Sequence, residues 1–284
     1  MLTEQFYRDL ESIKSDTVHG AVHITLELIK AVRNEIVRSE KRFKDLKGAI
    51  REIKIIHPEM ASVQFLIKSL KDIRQSRPKT NKEILDLIDV IADRIKIKEN
   101  ITSKNLMEII TKYSAMMTLS FSTTFLNACA MIPEDRRNKT IYVMESRSKR
   151  EGILLAKKLA DLGYNVKLIV DAGAAYYARE VEAFIIGADT IFMNGTIINK
   201  IGSLQLALVA KYNKKPFYVA ASTNKISTVD PIVEEEYIEE KPADDIYKSN
   251  QPNLISKNIY YEFLTADLIT KIISDEDLKF FIKN

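Results

Sequence analysis

Apolar residues in the first half of the chain recur at three- and four-residue steps. Val22, Leu26, Ile29, Val32 and Ile36 form one stripe; Val63, Leu66, Ile67, Leu70 and Ile73 form a second; Ile84, Leu87, Ile88, Ile91 and Ile95 form a third. That period places each set on one face of a helix, so the spacing predicts a helical bundle whose stripes pack a shared core. Pro58 and the Arg77-Pro78-Lys79-Thr80 segment punctuate the stripes, with Thr80 placed as an N-cap and Glu83 completing a capping box. From Thr140 the period changes. Residues 140–144, 166–170, 183–186 and 217–221 read as short buried strands, and the helix after the first runs through Leu154, Leu155, Ala156 and Leu159 to Gly163 as its C-cap. Strands alternating with helices favour right-handed crossovers and a parallel sheet covered on both faces. The expected fold class is α/β, with a helical N-terminal domain over residues 1–130 and a parallel-sheet C-terminal domain over residues 131–284.

Composition refines this only slightly. Six of the eight glycines fall between 152 and 202, which sharpens the division between the halves. With 46% hydrophobic residues the chain can bury a core, which excludes disorder as a whole. Lys and Arg number 43 against 39 Asp and Glu, so net charge gives no reason to expect direct nucleic-acid binding. Residues 230–245 carry eight acidic side chains and one lysine and read as a solvated loop, with a surface for a basic partner as the sharper alternative. The single cysteine, Cys129, excludes an internal disulfide and fits a reducing, cytoplasmic setting or a cysteine-poor thermophile better than secretion. Neither an apolar leader in MLTEQFYRDLESIK nor a long apolar span is present, so export and membrane insertion are not expected. His19 and His23 are four apart, on one face of a helix, but lack an evident third ligand, so no metal site is expected.

Strand ends are where chemistry is expected in such a sheet, yet the dinucleotide glycine fingerprint, the Walker A pattern and the serine-hydrolase elbow are all missing. The C-terminal half is therefore a Rossmann-like sheet without an obvious nicotinamide or nucleoside-triphosphate site. Residues 187–203, GADTIFMNGTIINKIGS, are the informative stretch. Asp189 follows a strand, Asn194-Gly195 makes a tight turn, and Asn199-Lys200 precede a helix that begins near Gly202-Ser203. A carboxylate, a lysine and a helix N-terminus at the carboxyl end of a parallel strand suit an anion or sugar phosphate. The plainer alternative is a hairpin turn at Asn194-Gly195 and a helix cap at Ser203.

This stretch, followed by Lys215-Pro-Phe-Tyr-Val-Ala-Ala-Ser222, resembles the family of eukaryotic initiation factor 2B alpha, beta and delta subunits, which also includes methylthioribose 1-phosphate and ribose 1,5-bisphosphate isomerases. The similarity runs from Thr118 to Ser222 and includes Glu145-Ser146-Arg147 with Gly152, the 171–175 segment, and Leu264-Thr-Ala-Asp-Leu-Ile-Thr270. It implies a helical domain joined to a Rossmann-like domain through which subunits pair. It also implies an acid/base role for Asp189 and for the position of Ser120, where the isomerases carry a cysteine. Arg77, Ser122, Asn199, Lys200, Gly202, Ser203, Lys225, Gly20 and Ala21 are the implied ligand-binding residues. The isomerases' Arg-Gly-Ala is His19-Gly20-Ala21 here. A serine hydroxyl is a far poorer proton carrier than a thiol of pKa about 8.5, and histidine cannot reproduce an arginine fork. The resemblance therefore favours a regulatory or scaffolding protein of the initiation factor 2B alpha type that retains a sugar-phosphate or nucleotide pocket. A sugar-phosphate aldose–ketose isomerase and a generic sugar-phosphate binder are the alternatives. No cofactor is implied. The expected partners are a phosphorylated ligand, further copies of the chain paired through the C-terminal domain in a dimer or larger assembly, and initiation factor 2 subunits.

Overall fold

The computed structural model describes residues 2–38, 46–228 and 238–278. Helices α1 (Glu4–Ser15), α2 (Ala21–Arg38), α3 (Leu46–Ile53), α4 (Ala61–Gln75) and α5 (Asn81–Ile110) build the first part. Their stripes turn inward as the period predicts: Val22, Ile29, Val32 and Ile36 of α2 and all five apolar residues of the α4 stripe are buried in one core. On α5 only Ile84, Ile88 and Ile95 of the third stripe are buried, while Leu87 is exposed. Thr80 caps α5 by accepting the Glu83 N–H at 3.2 Å, and the Glu83 carboxylate closes the box on the Lys79 N–H at 2.8 Å. Among the described residues no helix is long and apolar enough to cross a membrane.

The second part alternates strands and helices: β1 (Ala115–Thr118), α6 (Thr123–Ala130), β2 (Thr140–Met144), α7 (Glu151–Asp161), β3 (Asn165–Ile169), α8 (Ala174–Tyr177), β4 (Ala183–Gly187), β5 (Thr190–Phe192), β6 (Ile197–Lys200), α9 (Ser203–Tyr212), β7 (Phe217–Ala220), β8 (Ile226–Ser227), β9 (Tyr261–Leu264) and β10 (Lys271–Ile273). The larger sheet has the order β10-β7-β4-β1-β2-β3 and every pairing in it is parallel. All four expected strands are present, within a residue at either end. β1 is a departure: a central strand lies inside the stretch read as helical, and the expected 1–130 unit therefore contributes to the sheet. Ala-Met-Met-Thr is too short, and too poor in β-branched residues, to show a strand period.

A second sheet, β8-β5-β6-β9, flanks the first. Asn194-Gly195 turns the β5–β6 hairpin: Gly195 takes φ +81°, its N–H donates to the Phe192 carbonyl at 2.9 Å, and the Asn194 side chain accepts the Thr196 N–H. The hairpin alternative is thus the observed structure.

Toward the end of the described chain the segment after Tyr260 makes β9 and β10, and Leu264 and Ile273 are buried within this same chain. An apolar face left open lies on α8 and α9, where Tyr176, Leu204, Leu208 and Tyr212 are exposed. Half of the acidic stretch at 230–245, residues 230–237, lies outside the described residues. In the described part Glu239, Glu240 and Asp244 are exposed, as a solvated loop requires, while Asp245 takes an ion pair from Lys149 at 2.7 Å and a hydrogen bond from the Tyr260 hydroxyl.

Candidate functional site

In an open parallel sheet, ligands bind beyond the strand ends where successive strands begin to add on the opposite side. Here that point lies between β1 and β4, because β2 and β3 extend one way and β7 and β10 the other. A pocket opens there. Residues 119–124 after β1, Gly187-Ala188-Asp189 after β4, Asn199-Lys200 at the end of β6 and Lys225 form its walls. The loop at 17–22, Glu151, Tyr260 and Tyr261 complete it. Long-range contacts hold the helical part against it. Glu99 of α5 accepts hydrogen bonds from Thr124 and Ser222, and Thr190 of β5 bridges the Glu59 carbonyl and the Ala61 N–H at the start of α4.

Glu151, at the first residue of α7, is the centre of the polar network. One carboxylate oxygen receives both the Lys200 ammonium and the Ser120 hydroxyl at 2.9 Å, and all but a few per cent of the Glu151 and Lys200 side chains is buried. The other carboxylate oxygen is buried and has no hydrogen-bond partner. Lys200 also lies 4.9 Å from the centre of the Tyr260 ring, which supplies a cation–π contact. Ser120 sits in the left-handed region at φ +63°, fixed there by Glu151 and by its own N–H donating to the Ser146 hydroxyl at 2.7 Å. Lys225 donates to the Ala188 carbonyl at 2.8 Å beside Asp189.

Asp189 keeps an edge toward the pocket yet is surrounded by protein. Burial pushes its carboxyl above the usual value of 3.8, and Glu59 adds to the rise, while Lys225 and the Ala21 N–H act in the other direction. A carboxyl raised in this direction holds a proton more readily than a free one, as an acid/base group must. It also carries a stability cost. Below the unfolded value both states are protonated and the cost is absent; it grows as pH rises through the raised folded value and is complete above it. Asp189→Asn should therefore melt higher than the parent at about pH 7, with the gain fading below the ordinary carboxyl range. Melting curves of both proteins across that range check this, and an unchanged or lowered melting point near neutrality would contradict it.

The expected site residues divide. Asp189, Ser120, Ser122, Asn199, Lys200, Lys225, Gly20 and Ala21 converge on the one pocket. The Ser122 hydroxyl is already committed as the α6 cap, accepting the Phe125 N–H. Arg77 is not brought in; it stands exposed in the α4–α5 turn and does not wall the pocket. Gly202 and Ser203 are not free anion donors either. Glu262 of β9 accepts the N–H groups of Gly202 and Leu204 at 2.7 and 2.9 Å, so a carboxylate of the chain itself occupies the α9 N-terminus. Ser203 is buried and bonds to Asn199 and to the Lys200 carbonyl. The sequence reading missed Glu151, although its place immediately before the noted Gly152 was a signal. It also missed Glu262, for which the sequence carries none.

Comparison with known proteins follows the same outline. A profile described as the Initiation factor 2 subunit family matches residues 17–277. A ribose 1,5-bisphosphate isomerase of Archaeoglobus fulgidus is 30% identical, the alignment covering 96% of this chain and 88% of that protein. The solved translation initiation factor eIF-2B of Pyrococcus horikoshii superposes with a TM-score of 0.84 at 23% identity over 96% of each chain. A chain of the tetrameric eIF2B-beta2-delta2 complex from C. thermophilum superposes with a TM-score of 0.82 at 16% identity, over 97% of this chain and 92% of that one.

Proposed function

This chain belongs to the Initiation factor 2 subunit family, and from that premise we propose that it is a regulatory or scaffolding member that holds a phosphorylated sugar or nucleotide in the Asp189 pocket without converting it. The observation that carries the reading is a polar pocket walled by Asp189, Lys200 and Lys225 with a serine, not a thiol, at its centre. Ser120 stands where the resembling isomerases place their cysteine. The chain's single cysteine, Cys129, is buried in α6 away from the pocket walls, and burial drives its thiol far up. The Glu151 oxygen without a partner is an acceptor suited to a ligand hydroxyl, and Lys200 and Lys225, both on the pocket wall, supply the positive charge that phosphate oxygens need. Acceptors and cations side by side match a polyol that carries an anion.

The second reading, an aldose–ketose isomerase working through Asp189, is supported by the raised carboxyl and by the A. fulgidus relative. One experiment separates the two. Ribose 1,5-bisphosphate or methylthioribose 1-phosphate at millimolar concentration should raise the melting temperature of the parent and not of Lys225→Ala, while NMR of the same mixtures shows no ketose product. Turnover on the order of 1 per second that Asp189→Asn abolishes would establish the isomerase instead.

The scaffold reading also needs copies of the chain to pair. The open face of α8 and α9 is the candidate surface. Leu204, Leu208 and Tyr212 are spaced four apart along α9, so they share one side of that helix, and Tyr176 of α8 is exposed as well. A C2 dimer through this face keeps pairing within the sheet domain.

A further inference from the structure

Between α1 and α2 the chain makes a short loop, residues 16–20, and the histidines prove not to share a helix: His19 lies in this loop and His23 in the first turn of α2. Their rings nevertheless come together, with centres 4.2 Å apart and planes inclined by 31°. The acidic ligand absent from the sequence reading is Asp16, at the end of α1. One of its carboxylate oxygens accepts the N–H groups of Val18 and His19, each at 3.0 Å, which fixes the carboxylate. The other points at both rings, 2.8 Å from His19 Nδ1 and 3.9 Å from His23 Nε2.

We propose that Asp16, His19 and His23 bind a divalent first-row transition cation, zinc being the type case, at the mouth of the pocket. The donors suit it: two imidazoles and a carboxylate are ligands of zinc, cobalt and nickel, and too few oxygens are present for calcium. One donor atom from each of the three lies within 4.8 Å of the others. Zinc bonds of about 2.0–2.2 Å in a tetrahedron separate the ligand atoms by roughly 3.4 Å. The observed 2.8 and 3.9 Å bracket that spacing, so a small rotation of the two rings forms the site. All three residues are partly exposed, which leaves an entry path and a fourth position for water or a ligand oxygen. His19 stands edge-on to Phe121 at 5.8 Å, and both line the pocket. A cation held here adds positive charge beside the Asp189 pocket. This last point rests on the sugar-phosphate reading, whereas the metal site itself does not.

Untagged protein is stripped with chelator and titrated calorimetrically with zinc, and with cobalt followed by its visible absorption. One equivalent should bind, with the cobalt bands of a low-coordinate nitrogen–oxygen site. His23→Gln and Asp16→Asn, the latter keeping a carbonyl for the Val18 and His19 N–H groups, should each weaken binding by about 100-fold or more. Absence of stoichiometric binding in the parent, or equal affinity in His23→Gln, overturns the proposal. Circular dichroism confirms that the variants are folded, which the exposure of both side chains favours. Melting shifts with the same sugar phosphates, with and without zinc, keep the two readings apart. Stoichiometric zinc binding with no sugar-phosphate shift in either state leaves the metal site standing and removes the pocket assignment.

Discussion

Lys200→Ala is expected to lower stability by about 3–5 kcal/mol, because it strips the counter-ion from a carboxylate that stays buried. For a chain of this size that corresponds to a melting point lower by roughly 6–20 °C. The expectation rests on the enclosure of Glu151 and Lys200, only 3% and 6% exposed, and on the second Glu151 oxygen having no partner to compensate. Apolar replacement of both residues should recover most of the loss, since well-packed hydrophobic side chains often match a buried ion pair. The measurement is a thermal and urea unfolding series on Lys200→Ala, Glu151→Met with Lys200→Met, and the parent. A single variant within about 1 kcal/mol of the parent would mean that water reaches the pair and screens it. The double variant should remain folded yet lose the melting shift given by sugar phosphate, which separates the pocket's architecture from its recognition chemistry.

Leu208→Glu together with Tyr212→Glu is expected to turn a dimer into a monomer. Central apolar contacts in an interface are commonly worth 2 kcal/mol or more each, so two charges at its middle should weaken pairing by about 1,000-fold. Light scattering reads the result directly: twice 32.5 kDa, or 65 kDa, for the parent and 32.5 kDa for the variant. The side chains are 51% and 89% exposed, so the fold itself loses little by the change. A parent that is already monomeric, or a variant that still pairs, would remove α9 from the interface and weaken the scaffolding role with it.

What the sequence showed follows from where each interaction sits along the chain. The stripes on α2 and α4 were legible because a helix buries one face and leaves a period in its own residues, and the 140–144 strand was legible from the unbroken apolar run at 141–144. Asp189, Asn199 and Lys200 could be read because they flank strand ends within a dozen residues of one another. Glu151 looks like an ordinary acidic residue in a helix's first turn, and only the fold brings Ser120 and Lys200 onto it from 31 and 49 residues away. Glu262 reaches the α9 start from 60 residues downstream, and with it the expected phosphate cradle is filled from within. Asp16 was overlooked for a different reason: a carboxylate three residues before a histidine becomes a shared ligand only when the loop bends it back.

The placement of β1 has a kinetic consequence. It is the first strand of the large sheet to be made and one of its two central strands, and its partner on one side, β4, begins 65 residues after it ends (118 to 183). At about 5–20 residues per second on the ribosome, β1 waits roughly 3–13 s with that edge unpaired. During this interval its buried methionines, Met116 and Met117, have only the earlier helices and the nascent β2 side to lie against. The helical part, rich in local contacts, can form in microseconds to milliseconds and so precedes the sheet. Elongation therefore sets the order of assembly, with α5 already in place as a surface on which the waiting strand can shelter.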